Sequence, residues 1–168
     1  MTADLGVSSE IGRLRTVMVH RPGVEIARLT PDNKADLLFD DLLWLERAQQ
    51  EHDRFAKLML DRGIEVLYFE DLLSEAIADD AVRDDLLDHA VTPTTCGPRV
   101  SEALGAQLRQ APTETVVEVL VGGLLERELV DWGIAHLYED LVADRFHHVL
   151  RPLPNLLFMR DNAAWINN

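Results

Sequence analysis

The stretch PLPNLLFMRDNAAWI, residues 152–166, sets an adjacent arginine and aspartate, Arg160 and Asp161, inside an apolar run. An ionised carboxylate in such a place needs a cation or several hydrogen-bond donors, because burying it bare is very costly. Two arrangements satisfy it. One is an Arg–Asp ion pair elsewhere in the fold. The other is a cationic ligand. A guanidinium is the natural choice, since its planar fork makes two parallel hydrogen bonds to a carboxylate. Pro154 biases Leu153 towards an extended conformation, so PLP acts as a stiff lead-in that fixes where Asn155 begins.

Other candidates read more plainly. Cys96 lies just before a helix start in TPTTCGPR, where a helix N-terminus lowers a thiol pKa, but an ordinary structural thiol is the favoured reading. His147 and His148 are adjacent, so on a strand their rings point to opposite faces and do not converge on one ion. His52 falls on an apolar helix stripe and reads as a satisfied core or boundary histidine. Asp40 or Asp41 in FDD is a candidate helix cap. Gly122–Gly123 lacks the spacing of a phosphate loop and reads as a helix end.

The elements that must position these residues follow from periodicity. RTVMVH (15–20) is a β-branched run closed by the turn signal RPG. A loop, VEIARLTPDNKADLLFDD, leads to a helix from about Leu42 to Arg62, with Leu45, Ala48, His52, Phe55 and Met59 at helical spacing and Gly63 as its stop. IEVLYF (64–69) is a second strand, so strand, helix and strand form a crossover unit. From about Asp71 to Arg145 no strand is evident. Short amphipathic pieces separated by Pro93, Gly97–Pro98, Pro112 and Gly122–Gly123 indicate an inserted helical block. RFHHVL (145–150) returns to alternation, and strand character resumes around Asn155 to Ile166.

Composition bounds the function. The chain has 168 residues, suiting one domain with an insertion, and its 47% hydrophobic content supports an ordinary core. The formal charge of −14 disfavours phosphate backbones and anionic lipid, so neither nucleic acid nor membrane is an expected partner. One cysteine allows no intrachain disulfide, no apolar run reaches membrane-span length, and no secretory h-region is visible at the N-terminus. The expectation is a soluble cytoplasmic protein.

Three ordered stretches, GVSSEIGRLRTVMVHRPG, RLTPDNKADLLFDDLLWLERAQQEHDRFAKLMLDRGIEVL and PLPNLLFMRDNAAWI, resemble the N-terminal part of arginine deiminases, members of the guanidino-group-modifying (pentein) superfamily. The resemblance covers essentially the whole chain and is least specific in the middle helices. Shorter relatives, such as agmatine deiminases and dimethylarginine hydrolases, lack a helical insertion at this point. The fold class it implies is α/β: the first module of a five-bladed α/β propeller, with a helical bundle inserted and the propeller incomplete. The expected units are residues 1–71, an inserted domain at 72–146, and a returning segment at 147–168.

The implied reaction is hydrolysis of L-arginine to L-citrulline and ammonia through a cysteine thiouronium intermediate, with no metal or organic cofactor. By the same resemblance Asp161 grips the guanidinium nitrogens, Asn155 and Phe158 line the pocket, Arg160 supports it, and the Leu38–Asp41 loop, with Leu38 and Asp41 at its ends, lies at the pocket mouth. Strict alternation would put Phe158 opposite Asn155 and Asp161, so a shared pocket requires irregular backbone. Met159 stands where the pattern has threonine. The family's second acidic residue, its histidine with a neighbouring aspartate, and its nucleophilic cysteine all belong downstream of Asn168, and Cys96 does not occupy the nucleophile's place. The chain alone is therefore expected to be inactive, and the edges of a partial propeller are expected to promote homo-oligomers.

Overall fold

The computed structural model describes residues 11–138 and 146–160. Within them the protein is a mixed α/β structure, mostly helical, with two small two-stranded sheets. Strand β1 (Thr16–Val19) pairs in parallel with β2 (Glu65–Tyr68), with Val17 opposite Val66 and Val19 opposite Tyr68. A short helix α1 (Val24–Ala27) interrupts the expected loop, and the 16-residue helix α2 (Leu45–Leu60) completes the crossover. The periodicity is nearly as read. Ala56, not Phe55, takes the buried position between His52 and Met59, and Phe55 is 55% exposed. The step from His52 is four residues rather than three, as a 3.6-residue period requires. Gly63, at φ 72°, ends α2: its N–H donates to Leu60 O and the Ile64 N–H to Met59 O. The helix begins after Trp44 without a side-chain cap. Asp41 instead accepts from the neighbouring Leu42 N–H at 2.8 Å, so neither aspartate of FDD caps α2.

Helices α3 (Phe69–Ala76), α4 (Asp80–Ala90), α5 (Pro93–Cys96), α6 (Pro98–Gln110) and α7 (Thr113–Gly122) follow. Their boundaries have local causes. Asp79 caps α4 through the N–H groups of Ala81 and Val82, Thr92 and Thr95 form a reciprocal cap on α5, and Pro98 opens α6. Ile77, Leu87, Val100, Leu104, Leu108, Val116 and Leu129 pack into one buried core. Arg83 ties the block together by donating to Ile77 O, Ala111 O and Thr113 Oγ1.

Two expectations are corrected here. Leu124–Leu125 forms a strand, β3, inside the span read as helical, and it pairs antiparallel with β4 (His148–Leu150). Two residues are too few to display alternation. The strands therefore divide between two sheets instead of sharing one. The second correction concerns Pro154–Phe158, which forms a 3-10 helix followed by a turn at Met159–Arg160. The expected strand is absent over these residues; its remainder, residues 161–166, lies outside the described residues.

Gly123 sits at φ 74° where the chain after α7 passes the start of PLP. A Cβ there would lie 2.5 Å from Leu150 O and 2.6 Å from Pro152 N. Those are backbone atoms that cannot swing aside. Gly123→Ala is expected to cost more than about 2 kcal/mol, combining a left-handed backbone penalty with overpacking, and thermal unfolding of the purified variant checks this.

Candidate functional site

The 3-10 turn at Pro154–Phe158 resolves the alternation problem. In such a helix residues three apart lie above one another, so Asn155 and Phe158 share a face. That face meets the loop between α1 and α2. Asn155 Nδ2 donates to Leu37 O at 3.0 Å, and the Phe158 ring packs on Phe39 with centroids 5.8 Å apart. Leu157 packs against the small core of Ile26, Leu29, Leu37 and Phe39, while Leu156 packs against the core of the helical block. The turn is thus wedged between both parts of the molecule. Its entry is held by the Leu153 N–H, which donates to Val121 O at 2.9 Å at the end of α7.

The opposing loop is built to a defined shape. Residues 33–37 make a tight turn that ends as a helix does, with the Leu38 N–H donating to Ala35 O and the Phe39 N–H to Lys34 O. The residue that terminates it adopts the left-handed conformation, a position usually given to glycine. Here it is Leu38, at φ 64°, and its side chain is 81% exposed. The backbone carries that cost while placing an apolar side chain outward between the buried Leu37 and Phe39. The Lys34 ammonium donates to Asp40 O and steadies the following bend.

The structure therefore brings Asn155, Phe158 and the Leu38 loop together from opposite ends of the sequence. Asp41 is exposed at the far end of that loop, and Arg160 is exposed on the turn after the 3-10 helix. Asp161 lies outside the described residues.

The remaining candidates separate from this wall. Cys96 is buried in the helical core, where burial pushes its thiol pKa up against a small opposing effect of the Thr95 hydroxyl. Its Sγ lies 3.4 Å from Thr92 O, the geometry of a structural thiol. His147, at φ 60° and exposed, contacts Glu126 at 3.0 Å, while His148 is buried. His52 is partly buried against Tyr68, with its Nδ1 3.9 Å from Asp53 Oδ1 and no hydrogen-bond partner on either ring nitrogen, so it is the boundary histidine expected but not a satisfied one. Burial lowers its pKa, which favours the neutral ring. Among the described residues no group of three His, Cys, Asp or Glu side chains is placed to hold a metal ion. No helix among them is long and apolar enough to cross a membrane.

One cluster escaped the sequence reading. His20, at the end of β1, is 2% exposed and sits between two carboxylates. Its Nε2 is 3.0 Å from Glu25 Oε1 on α1, and its Nδ1 is 2.7 Å from Glu70 Oε1 on α3. Glu25 is itself 1% exposed and accepts from the Gly23 N–H at 2.6 Å. Burial alone would lower the His20 pKa, but Glu25 and Glu70 outweigh it and hold the pKa at about 9. The only sequence signal is a histidine closing a β-branched run five residues before a glutamate. Glu70 lies 50 residues away.

A chain with this crossover unit, helical block and closing wall can be set beside known proteins. The arginine deiminase family model matches residues 35–168, a stretch that takes in Leu38, Asp41, Asn155, Phe158, Arg160 and Asp161. Similar relatives include an arginine deiminase of Rhodococcus opacus (strain B4), 45% identical over 170 residues, covering 98% of this chain and 41% of the relative. Those of Mycolicibacterium gilvum (strain PYR-GCK) and Mycobacterium marinum (strain ATCC BAA-535 / M) are 46% and 44% identical, covering 98% and 99% of this chain and 41% and 42% of their own lengths. The chain belongs to the arginine deiminase family. It corresponds to the N-terminal part of these relatives and spans about two-fifths of their length.

Proposed function

We propose that this chain supplies one wall of the active site of an arginine deiminase, which hydrolyses L-arginine to L-citrulline and ammonia. The observation that supports this is the meeting of Asn155 and Phe158 with the Leu37–Phe39 loop, across 118 residues of sequence, in a member of the family. In this reading Asn155 and Phe158 line the substrate pocket, Leu38 covers its mouth, Asp41 borders it, and Arg160 supports the turn. Asp161 follows that turn directly and pairs with the guanidinium. Attack by a cysteine thiolate on the guanidinium carbon, with a C–N bond breaking to release ammonia, would give the thiouronium intermediate, and attack by water would then break the C–S bond, returning the thiol and releasing citrulline. Cys96 is a poor attacking group, buried and with a raised pKa. Residues 1–71 and 147–168 would belong to the first module of a five-bladed propeller, with residues 72–146 inserted as a helical domain.

This reading expects a full-length enzyme that begins with this segment to release citrulline and ammonia from arginine in equal amounts, while the isolated chain 1–168 releases none above background. A citrulline assay with a Cys96→Ser control checks both parts. Turnover by the isolated chain that disappears in the Cys96→Ser variant would overturn the assignment.

Leu38→Gly separates backbone from side chain. Glycine relieves a left-handed penalty of roughly 1–2 kcal/mol and adds about 0.5–1 kcal/mol of unfolded-chain entropy, so stability should hold or rise slightly. Losing an apolar side chain over the substrate should nonetheless lower kcat/KM in the full-length enzyme by about tenfold. Unchanged kinetics would remove Leu38 from the pocket.

A further inference from the structure

We propose that Asn33 is a positioning residue for the arginine site, coupling the helical block to the substrate wall. The proposal rests on the assignment of Asn155 and Phe158 to that wall. Asn33 is 2% exposed and is not itself one of the pocket candidates. Its side chain spans the loop instead. Nδ2 donates to Arg28 O at 2.9 Å, and Oδ1 accepts from the Thr30 N–H at 2.7 Å. The Asn33 N–H donates to Thr30 Oγ1 at 3.2 Å, and its carbonyl accepts from the Leu37 N–H at 3.1 Å. The buried side chain thereby fixes where the tight turn begins, and the backbone carbonyl of the same residue anchors Leu37 one turn on.

The other end of this chain of contacts is the helical block. The Arg28 guanidinium donates to Gly122 O at 2.8 Å and to both Glu128 oxygens at 2.9 and 2.8 Å. Glu128 in turn accepts from the Leu125 N–H on β3. The end of α7 thus holds both sides of the wall, one through Arg28 and Asn33 to Leu37, the other through Val121 O to Leu153 and the 3-10 turn. Asn155 closes the circuit on Leu37 O. Asparagine suits the position because it offers a donor and an acceptor on a short side chain. Aspartate would set a carboxylate against the Arg28 carbonyl, and alanine would take away the partner of the part-buried Arg28 carbonyl and of the Thr30 N–H.

The test is a double-mutant cycle of Asn33→Ala and Asn155→Ala in a full-length enzyme that begins with this segment, with KM, kcat and Tm measured on each variant. Asn33→Ala is expected to lower kcat/KM by about tenfold, mainly through KM, because a displaced wall binds arginine less well. Its effect should largely vanish when Asn155 is already alanine, since Asn33 sets the turn that carries Leu37 and Asn155 bonds the Leu37 O that this turn presents. A residue that merely supports stability would reduce the folded fraction, lowering apparent kcat at constant KM, with losses additive to those of Asn155→Ala. That result would overturn the proposal. Should Asn33→Ala fail to fold, Thr30→Ala removes the reciprocal hydrogen bond from the Asn33 N–H to Thr30 Oγ1 at the start of the same turn and is held to the same KM criterion. If Asn155→Ala alone leaves KM and kcat unchanged, the wall assignment fails and this inference fails with it. A normal Asn33→Ala beside an impaired Asn155→Ala sinks the inference alone.

Discussion

Asp161→Ala in a full-length enzyme that begins with this segment should lower kcat/KM for arginine by at least two to three orders of magnitude. The carboxylate is the expected partner of the guanidinium. Removing one member of a buried charge pair typically costs about 3–5 kcal/mol, and each 1.4 kcal/mol is roughly a factor of ten. The loss grows if Asp161 also holds the guanidinium carbon in line for attack, because misplacing a reacting atom slows the chemistry separately. The residues leading up to position 161 are firmly packed. Leu156 and Leu157 pack into two different cores, and Phe158 stacks on Phe39. The turn before the carboxylate is therefore braced on several sides, and holding a charged group for a ligand requires such support.

Replacing His20 by glutamine is the change expected to cost most stability. The histidine holds a pKa of about 9 in the fold against an ordinary 6.5. A raised folded-state pKa means stabilisation that is fully present below the unfolded pKa and lost as pH rises through the folded one. The contribution, on the order of 3 kcal/mol, should be complete below about pH 6.5 and gone above about pH 9. For a chain of this size that corresponds to a difference in Tm of roughly 6–12 °C between the wild type and His20→Gln at neutral pH. The two should converge as pH is raised past 9, because the neutral ring no longer offsets Glu25 and Glu70. Parallel Tm curves from pH 6.5 to 10 would show that the cluster is not ionised as argued.

The residues themselves explain which features could be read in advance. Helix α2 and the Gly63 stop were legible because a long amphipathic period and a glycine at a left-handed position are strong local signals. The parallel pairing of β1 with β2 followed from the order of elements. By contrast, PLPNLLF presents an apolar run that suggests a strand, and only its packing between two cores selects the 3-10 turn. The Leu38 bend was hidden for a related reason: its position calls for glycine, and leucine occupies it. β3 is two residues long and exists through its pairing with β4. His20, Glu25 and Glu70 meet only after the crossover is formed, so no window of sequence contains the cluster. Asn155 and Phe158 were picked out by resemblance, but their shared face depends on a backbone that the alternation pattern concealed.

The most direct measurement is Tm and kcat/KM on a single preparation of Asp161→Asn in a full-length enzyme. Asparagine keeps the shape and one acceptor, but sets an amide donor against a substrate group that only donates. Tm should stay close to wild type, with kcat/KM reduced nearly as far as by alanine. A variant that melts earlier yet keeps wild-type kcat/KM in its folded fraction would show that Asp161 serves a structural ion pair, and would contradict the assignment of this wall to arginine.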